Sequence, residues 1–116
     1  MPKRKTVLII ENDAIIRELL EDFLDLYGFA ACGVSNGVEA IRLVRERHFD
    51  IIITDYSMPV MNGAEFVRII RPQHPHVFII GISGVCGAGE FLSAGANAFL
   101  PKPFQLKEFL AIFEAQ

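Results

Sequence analysis

The stretch Thr6-Val7-Leu8-Ile9-Ile10-Glu11-Asn12-Asp13 decides how the rest of the chain is read. Its first five residues are rich in β-branched side chains and lack polar alternation, the mark of a strand covered on both faces. From Asp13 the spacing becomes helical: Ile16, Leu19, Leu20, Phe23, Leu24 and Tyr27 share one stripe, with Arg17, Glu18, Glu21, Asp22 and Asp25 opposite. Gly28 stops that helix.

The same alternation continues downstream. A second strand fits residues 29–34, and Asn36-Gly37-Val38-Glu39 is a capping box opening a helix whose stripe includes Val38, Ile41, Leu43 and Val44. Residues 49–54 form a third strand, and Met58-Pro59 and Asn62-Gly63 mark a loop before a helix over 65–71, which Arg71-Pro72 ends. Strands at 77–82 and 97–100 and a last helix over 105–115, with Leu106, Phe109, Leu110 and Phe113 at spacings of three and four, complete the pattern. Strands alternating with helices pair in parallel through right-handed crossovers, so the fold class is α/β, an open sheet with helices on both faces.

A chain of 116 residues fits one domain, and 52% apolar with 22% charged residues excludes a disordered or collagen-like chain. The balance of 11 basic and 14 acidic residues, net −3, argues against direct nucleic-acid binding. No apolar run approaches the roughly 20 residues of a membrane span, and the run after Met1-Pro2-Lys3-Arg4-Lys5 breaks at Glu11, too soon for an export signal. Cys32 and Cys86 form no CxxC pair and no metal-spaced set with His48, His74 or His76, so reduced thiols and a cytoplasmic location are expected.

In open α/β sheets, ligands gather beyond the carboxyl ends of the strands, where strand order reverses. The residues expected there are Glu11-Asn12-Asp13, Asp55, Ser83-Gly84 and Lys102-Pro103. Hard oxygen ligands beside a lysine suit Mg²⁺, which prefers one or two carboxylates with waters and phosphate oxygens. Asp55 is the candidate nucleophile, since an aspartate takes a phosphoryl group covalently when cations neutralise the charge developing on its oxygens. Mg²⁺ and Lys102 would supply that charge, and the Ser83 hydroxyl would donate to a phosphoryl oxygen.

These residues resemble the receiver domain of bacterial two-component response regulators over essentially the whole chain. The likeness rests on residues 7–13, on Asp50-Ile51-Ile52-Ile53-Thr54-Asp55-Tyr56-Ser57-Met58-Pro59 with Asn62-Gly63, and on Ile82-Ser83-Gly84, Ala94-Gly95-Ala96 and Lys102-Pro103-Phe104. It implies a flavodoxin-like sheet of order 2-1-3-4-5 and a single receiver domain over 1–116, with no output domain on this chain. It also implies that Asp55 accepts a phosphoryl group from phosphohistidine on a sensor histidine kinase or phosphotransfer protein, and that a separate downstream protein reads the change. Glu11, Asn12, Asp55 and Ser57 fall on the Mg²⁺ positions, Ser83 and Lys102 on the phosphoryl contacts, and Phe99 on the aromatic switch position. The family usually has a cis peptide at the bond matching Lys102-Pro103. Such a domain is a regulatory phosphoacceptor and not an enzyme in its own right; a weak homodimer is left open.

The chain differs from the family pattern in two places. Asn12 stands where a second acid is usual, so the Mg²⁺ site is one charge poorer and weaker binding is expected; Asp13, one residue on, is read as the N-cap of the first helix. Between Ser83 and Ala94 the chain is shorter and carries Gly84, Gly87 and Gly89, so the fourth helix is expected to be short or irregular. Together these give an alternative reading, a receiver-like interaction module that works without phosphorylation. The three histidines are read as surface residues, and Arg42, Arg45 and Arg47 as a solvated helix face. Nothing near Cys86 in sequence lowers a thiol pKa. The segment 81–85 lacks the last glycine of a nucleophile elbow, and 84–89 lacks the ending of a phosphate-binding loop.

Overall fold

The structure is a computed structural model that describes residues 4–84 and 87–114. Its elements run β1 (Thr6–Ile10), α1 (Ala14–Leu26), β2 (Ala30–Val34), α2 (Gly37–Glu46), β3 (Ile51–Asp55), α3 (Gly63–Ile70), β4 (Phe78–Ser83), α4 (Ala88–Ala94), β5 (Ala98–Pro101) and α5 (Leu106–Glu114). The strands pair in parallel in the order β2-β1-β3-β4-β5. Strand order therefore reverses beside β1, which puts the switch point between the carboxyl ends of β1 and β3.

Alternate side chains of each strand feed opposite layers, as the two-residue period of a strand requires. Leu8, Ile10, Ile52 and Ile79 pack with α2, α3 and α4 residues such as Val44, Phe66 and Phe91. Val7, Ile9, Ile53 and Ile80 pack with Leu20 and Leu24 of α1 and with Phe109 and Phe113 of α5. Burying a side chain of this size contributes roughly 1.5–3 kcal/mol before entropy is counted.

The helix starts at Asp13 and Asn36 follow the expected caps, and Asn62, read from sequence as part of a loop, caps a third helix. The Asp13 carboxylate accepts from the Ile15 and Ile16 N–H groups, Asn36 accepts from Glu39, and Asn62 forms a reciprocal capping box with Glu65. Asn62 starts α3 two residues before the expected 65. The apolar stripe of α1 is narrower than its spacing suggests: Leu20 and Leu24 are buried, whereas Leu19 is 64% and Tyr27 54% exposed, and Ile16 is also exposed. Two of the charges assigned to its solvent face instead reach the sheet. Arg17 donates to the Glu11 carbonyl at 2.8 Å, and Glu21 accepts from Gly33 N–H at 3.2 Å. The edge strand β2 explains the Glu21 bond, because its outer amide needs a partner, and it lets the Arg17 stem pass close, since a Cβ at Gly33 would lie 2.7 Å from it. On α2, Val38 is exposed while Ala40 and Val44 carry the contact.

The short fourth helix is seven residues long, flanked by Gly87 and Gly95, both at positive φ. Its Phe91 is fully buried and lies over Gly81 of β4 and Gly63 of α3, where any Cβ would collide with the ring. A large ring on a short helix thus fills the gap that two glycines leave. Cys86, Val85 and Ala115, which carried expectations above, lie outside the described residues.

The amino ends of the strands are fastened by polar groups bonded to the backbone. Arg71, in a single 3-10 turn (Arg71–Gln73) after α3, donates to the carbonyls of Gly95 (2.8 Å), His74 (2.9 Å) and Val77 (2.8 Å) and to Asn97 Oδ1 (2.8 Å). Burial lowers the pKa of this guanidinium from its ordinary value. Asp50 Oδ2 accepts from the Thr6 N–H at 2.8 Å, which pulls its carboxyl below the ordinary 3.8 against the opposing effect of burial; bonds from His48 and the Thr6 hydroxyl lower it further.

Candidate functional site

Three charged residues from three strand ends meet at the carboxyl edge. Glu11 follows β1 and is buried, its N–H paired to the Val34 carbonyl and its Oε2 accepting from Asp13 N–H at 2.9 Å. Asp55 is the last residue of β3, its side chain 12% exposed. Lys102 follows β5, and its Nζ lies 3.5 Å from Glu11 Oε1 and 3.4 Å from Asp55 Oδ1. One ammonium thus holds two nearly buried carboxylates together, an arrangement that would be costly without it.

Neighbouring backbone fixes these groups. Lys102 N–H donates to the Ser83 carbonyl at 2.8 Å, tying the end of β5 to β4, and the next peptide, Lys102-Pro103, is cis. Asp55 Oδ1 accepts from Tyr56 N–H at 2.9 Å, and the Thr54 hydroxyl donates to the Asp55 carbonyl at 3.0 Å. After Asp55 the chain turns tightly: Met61 N–H closes on the Pro59 carbonyl across Val60, whose φ is +74°. That is a γ-turn with a β-branched centre, a strained conformation. Gly63 N–H then returns to the Tyr56 carbonyl, so the loop is clamped at its base.

Of the other expected residues, Ser83 is buried at the end of β4, one residue beyond Ile82, the register partner of Asp55, while Asn12 and Ser57 are exposed. Phe99 is half-buried on β5 with its ring 6.1 Å from that of Phe91, and it lines a cavity together with Ser83 and Ala88. The structure therefore joins Glu11, Asp55 and Lys102 by contact and places Ser83 on the adjoining strand. Phe99 makes no such contact with the charged trio and lies on the α4 side, in the cavity it shares with Ser83.

Tyr56 is the neighbour that sequence reasoning passed over. Its N–H touches the Asp55 carboxylate, its hydroxyl donates to Glu90 Oε2 of α4 at 2.6 Å, and its ring meets Phe91 edge-on at 5.8 Å. Adjacency to Asp55 was the available signal; the partner on α4 lies 34 residues away and only folding supplies it. Chemically, the site offers oxygen nucleophiles next to an ammonium that can balance developing negative charge. The two carboxylates are hard oxygen donors. Among the described residues, no three His, Cys, Asp or Glu side chains form a metal cluster.

Comparison with known proteins agrees with the geometry. The response regulator receiver domain profile matches residues 7–114. The chemotaxis protein CheY of Thermotoga maritima is 35% identical over 109 residues, covering 87% of this chain and 88% of that protein. The response regulator MprA of Mycobacterium sp. (strain KMS) is 33% identical over 118 residues, covering 99% of this chain and 50% of that protein. The chain spans about half the length of the first curated relatives it matches. Among solved structures, the receiver domain of sensor histidine kinase PA1611 from Pseudomonas aeruginosa PAO1 superposes with a TM-score of 0.87 at 29% identity, covering 97% of this chain and 96% of that one. That structure carries a magnesium ion coordinated in its active site cleft.

Proposed function

The chain belongs to the response regulator receiver domain family, and from that premise we propose that it is a phosphoryl-accepting switch of a two-component or phosphorelay system, with Asp55 as acceptor. The family is regulatory. The observation that carries the assignment is the position of Lys102 Nζ, 3.4 Å from Asp55 Oδ1 and 3.5 Å from Glu11 Oε1. In the transfer, a carboxylate oxygen of Asp55 attacks phosphorus, the N–P bond of a donor phosphohistidine breaks, and its electron pair stays on the imidazole. A sensor histidine kinase or phosphotransfer protein in the cytoplasm is the proposed donor.

The residues present fit a hard divalent cation, since Mg²⁺ needs only one or two carboxylates and keeps several waters. Glu11, Asp55, the Asn12 amide oxygen and the Ser57 carbonyl would hold it, and when bound it supplies charge neutralisation at the phosphoryl oxygens. The chain's own residues do the rest. Lys102 pairs with the phosphoryl group as Asp55 loses its free charge. The Ser83 hydroxyl, on the strand next to Asp55, donates to a phosphoryl oxygen and draws the start of α4 inward. Phe99 is the aromatic beside that movement, and a separate protein target reads the altered face.

The test is incubation with Mg²⁺ and a small phosphodonor, followed by intact mass. A gain of one phosphoryl group that is lost in Asp55→Ala supports the assignment, and a gain that persists in that variant overturns it. Asn12 motivates the second reading, a module that binds its partner without phosphorylation. Absence of both Mg²⁺ and phosphoryl-mimic binding at millimolar concentrations would favour it.

A further inference from the structure

We propose that a cavity at the amino end of the sheet binds a small anionic molecule with an aromatic or other apolar body, at a site separate from Asp55. The cavity measures about 380 Å³, within the range of small-molecule pockets, which run from roughly 300 to 1,000 Å³. Its floor is apolar, formed by Val44, Phe49, Ile52 and Val77. Its rim is cationic and rich in donors. Arg45 and Arg47 stand against a single carboxylate, Glu46, and His48, His74 and His76, all the histidines of the chain, line the same opening.

These residues come from two stretches far apart in sequence, 44–52 and 73–77, and the fold alone brings them together. Both walls are held in place. Arg71 fixes the 74–77 segment through the His74 and Val77 carbonyls. On the other wall the Arg47 guanidinium sits 5.0 Å from the Phe49 ring centroid, which keeps it at the rim, and His48 is anchored to Asp50 Oδ1 at 3.0 Å. Guanidinium groups favour carboxylate, sulfonate or phosphate oxygens, and an apolar floor beneath them selects an anion that carries a ring or short hydrocarbon body. The chain's net charge of −3 and the carboxylate of Glu46 beside Arg45 disfavour a long polyanion on the same surface.

The experiment uses the whole chain and naphthalene-2-sulfonate as probe, read by backbone amide chemical shifts. Saturable shifts of the Val44, Phe49 and Val77 amides are expected at millimolar probe, with affinity about tenfold weaker in Arg45→Gln/Arg47→Gln, as loss of charge-assisted bonds implies. The exposed pair Arg68→Gln/Lys107→Gln removes the same charge elsewhere and should leave affinity unchanged. Four results would overturn the proposal. They are absence of saturation, equal binding of the neutral naphthalene-2-methanol, equal weakening in the control pair, and shifts at these amides that grow with protein concentration alone, which would make a second copy the occupant.

Discussion

Two clusters of charge, Arg71 with Asp50 at the amino end of the sheet and Glu11, Asp55 and Lys102 at its carboxyl end, work differently. At the amino end, Arg71 and Asp50 place their charges on backbone groups: Arg71 bonds the carbonyls of His74, Pro75, Val77 and Gly95, and Asp50 accepts an amide proton from β1. At the carboxyl end, Glu11, Asp55 and Lys102 face one another at 3.4–3.5 Å, ion-pair distances longer than a tight hydrogen bond. Arg71 and Asp50 hold the chain together, whereas Glu11, Asp55 and Lys102, although each carboxylate also accepts one backbone N–H, stay within reach of an incoming group. The carboxyl-end group owes its position to topology, since the loops diverge at the switch point and leave a crevice there.

Substitutions can break this contrast. The largest effect belongs to Asp55→Ala, which should abolish phosphoryl uptake by intact mass while changing the chemical-denaturation midpoint little. Arg71→Leu should do the reverse. It strands several carbonyls, so a loss of about 3 kcal/mol is expected in urea unfolding, with phosphoryl uptake retained below the transition. Retained stability in this variant would show that the fastening is redundant.

Asn12→Asp sharpens the comparison at the carboxyl end. It adds one ligand charge to the pair already present and should tighten Mg²⁺ binding about tenfold by titration, or about 1.4 kcal/mol. An unchanged affinity would remove residue 12 from the proposed metal site. The smallest effect is that of Asp50. Its carboxyl is depressed in the folded chain, so its contribution is present above the unfolded pKa and is lost as pH falls through the lower folded value. Asp50→Asn should therefore flatten the acid-side decline of stability below about pH 4, by less than about 1 kcal/mol because the side chain is 38% exposed. An identical decline in both proteins would show that the Thr6 bond is not what holds the carboxyl down.

Much of the carboxyl end was legible because each of its residues is placed by a local rule. Glu11, Asp55, Ser83 and Lys102 each stand at or just after the end of a short apolar strand, so reading the strands locates them. Asp13 and Asn36 were legible as caps because a helical pattern begins directly after each, whereas Asn62 read only as part of a loop. Tyr56 was not legible, since its partner Glu90 lies on another helix, nor was the role of Arg71, which read only as the end of a helix. The α1 stripe was overestimated because helical spacing reports which residues share a face, not how much of that face the sheet covers. Leu19 lies on the apolar side and still meets solvent.

By itself, the sequence determined the β-α alternation, the parallel sheet and the identity of the residues at its carboxyl edge. Short-range periodicity and strand-end chemistry are written in adjacent residues. Only the tertiary structure decided which charges meet: Lys102 between Glu11 and Asp55, Tyr56 on Glu90, and the arginines and histidines around one cavity. Those contacts join residues that are distant along the chain, and their geometry exists only once strand order and register have brought them side by side.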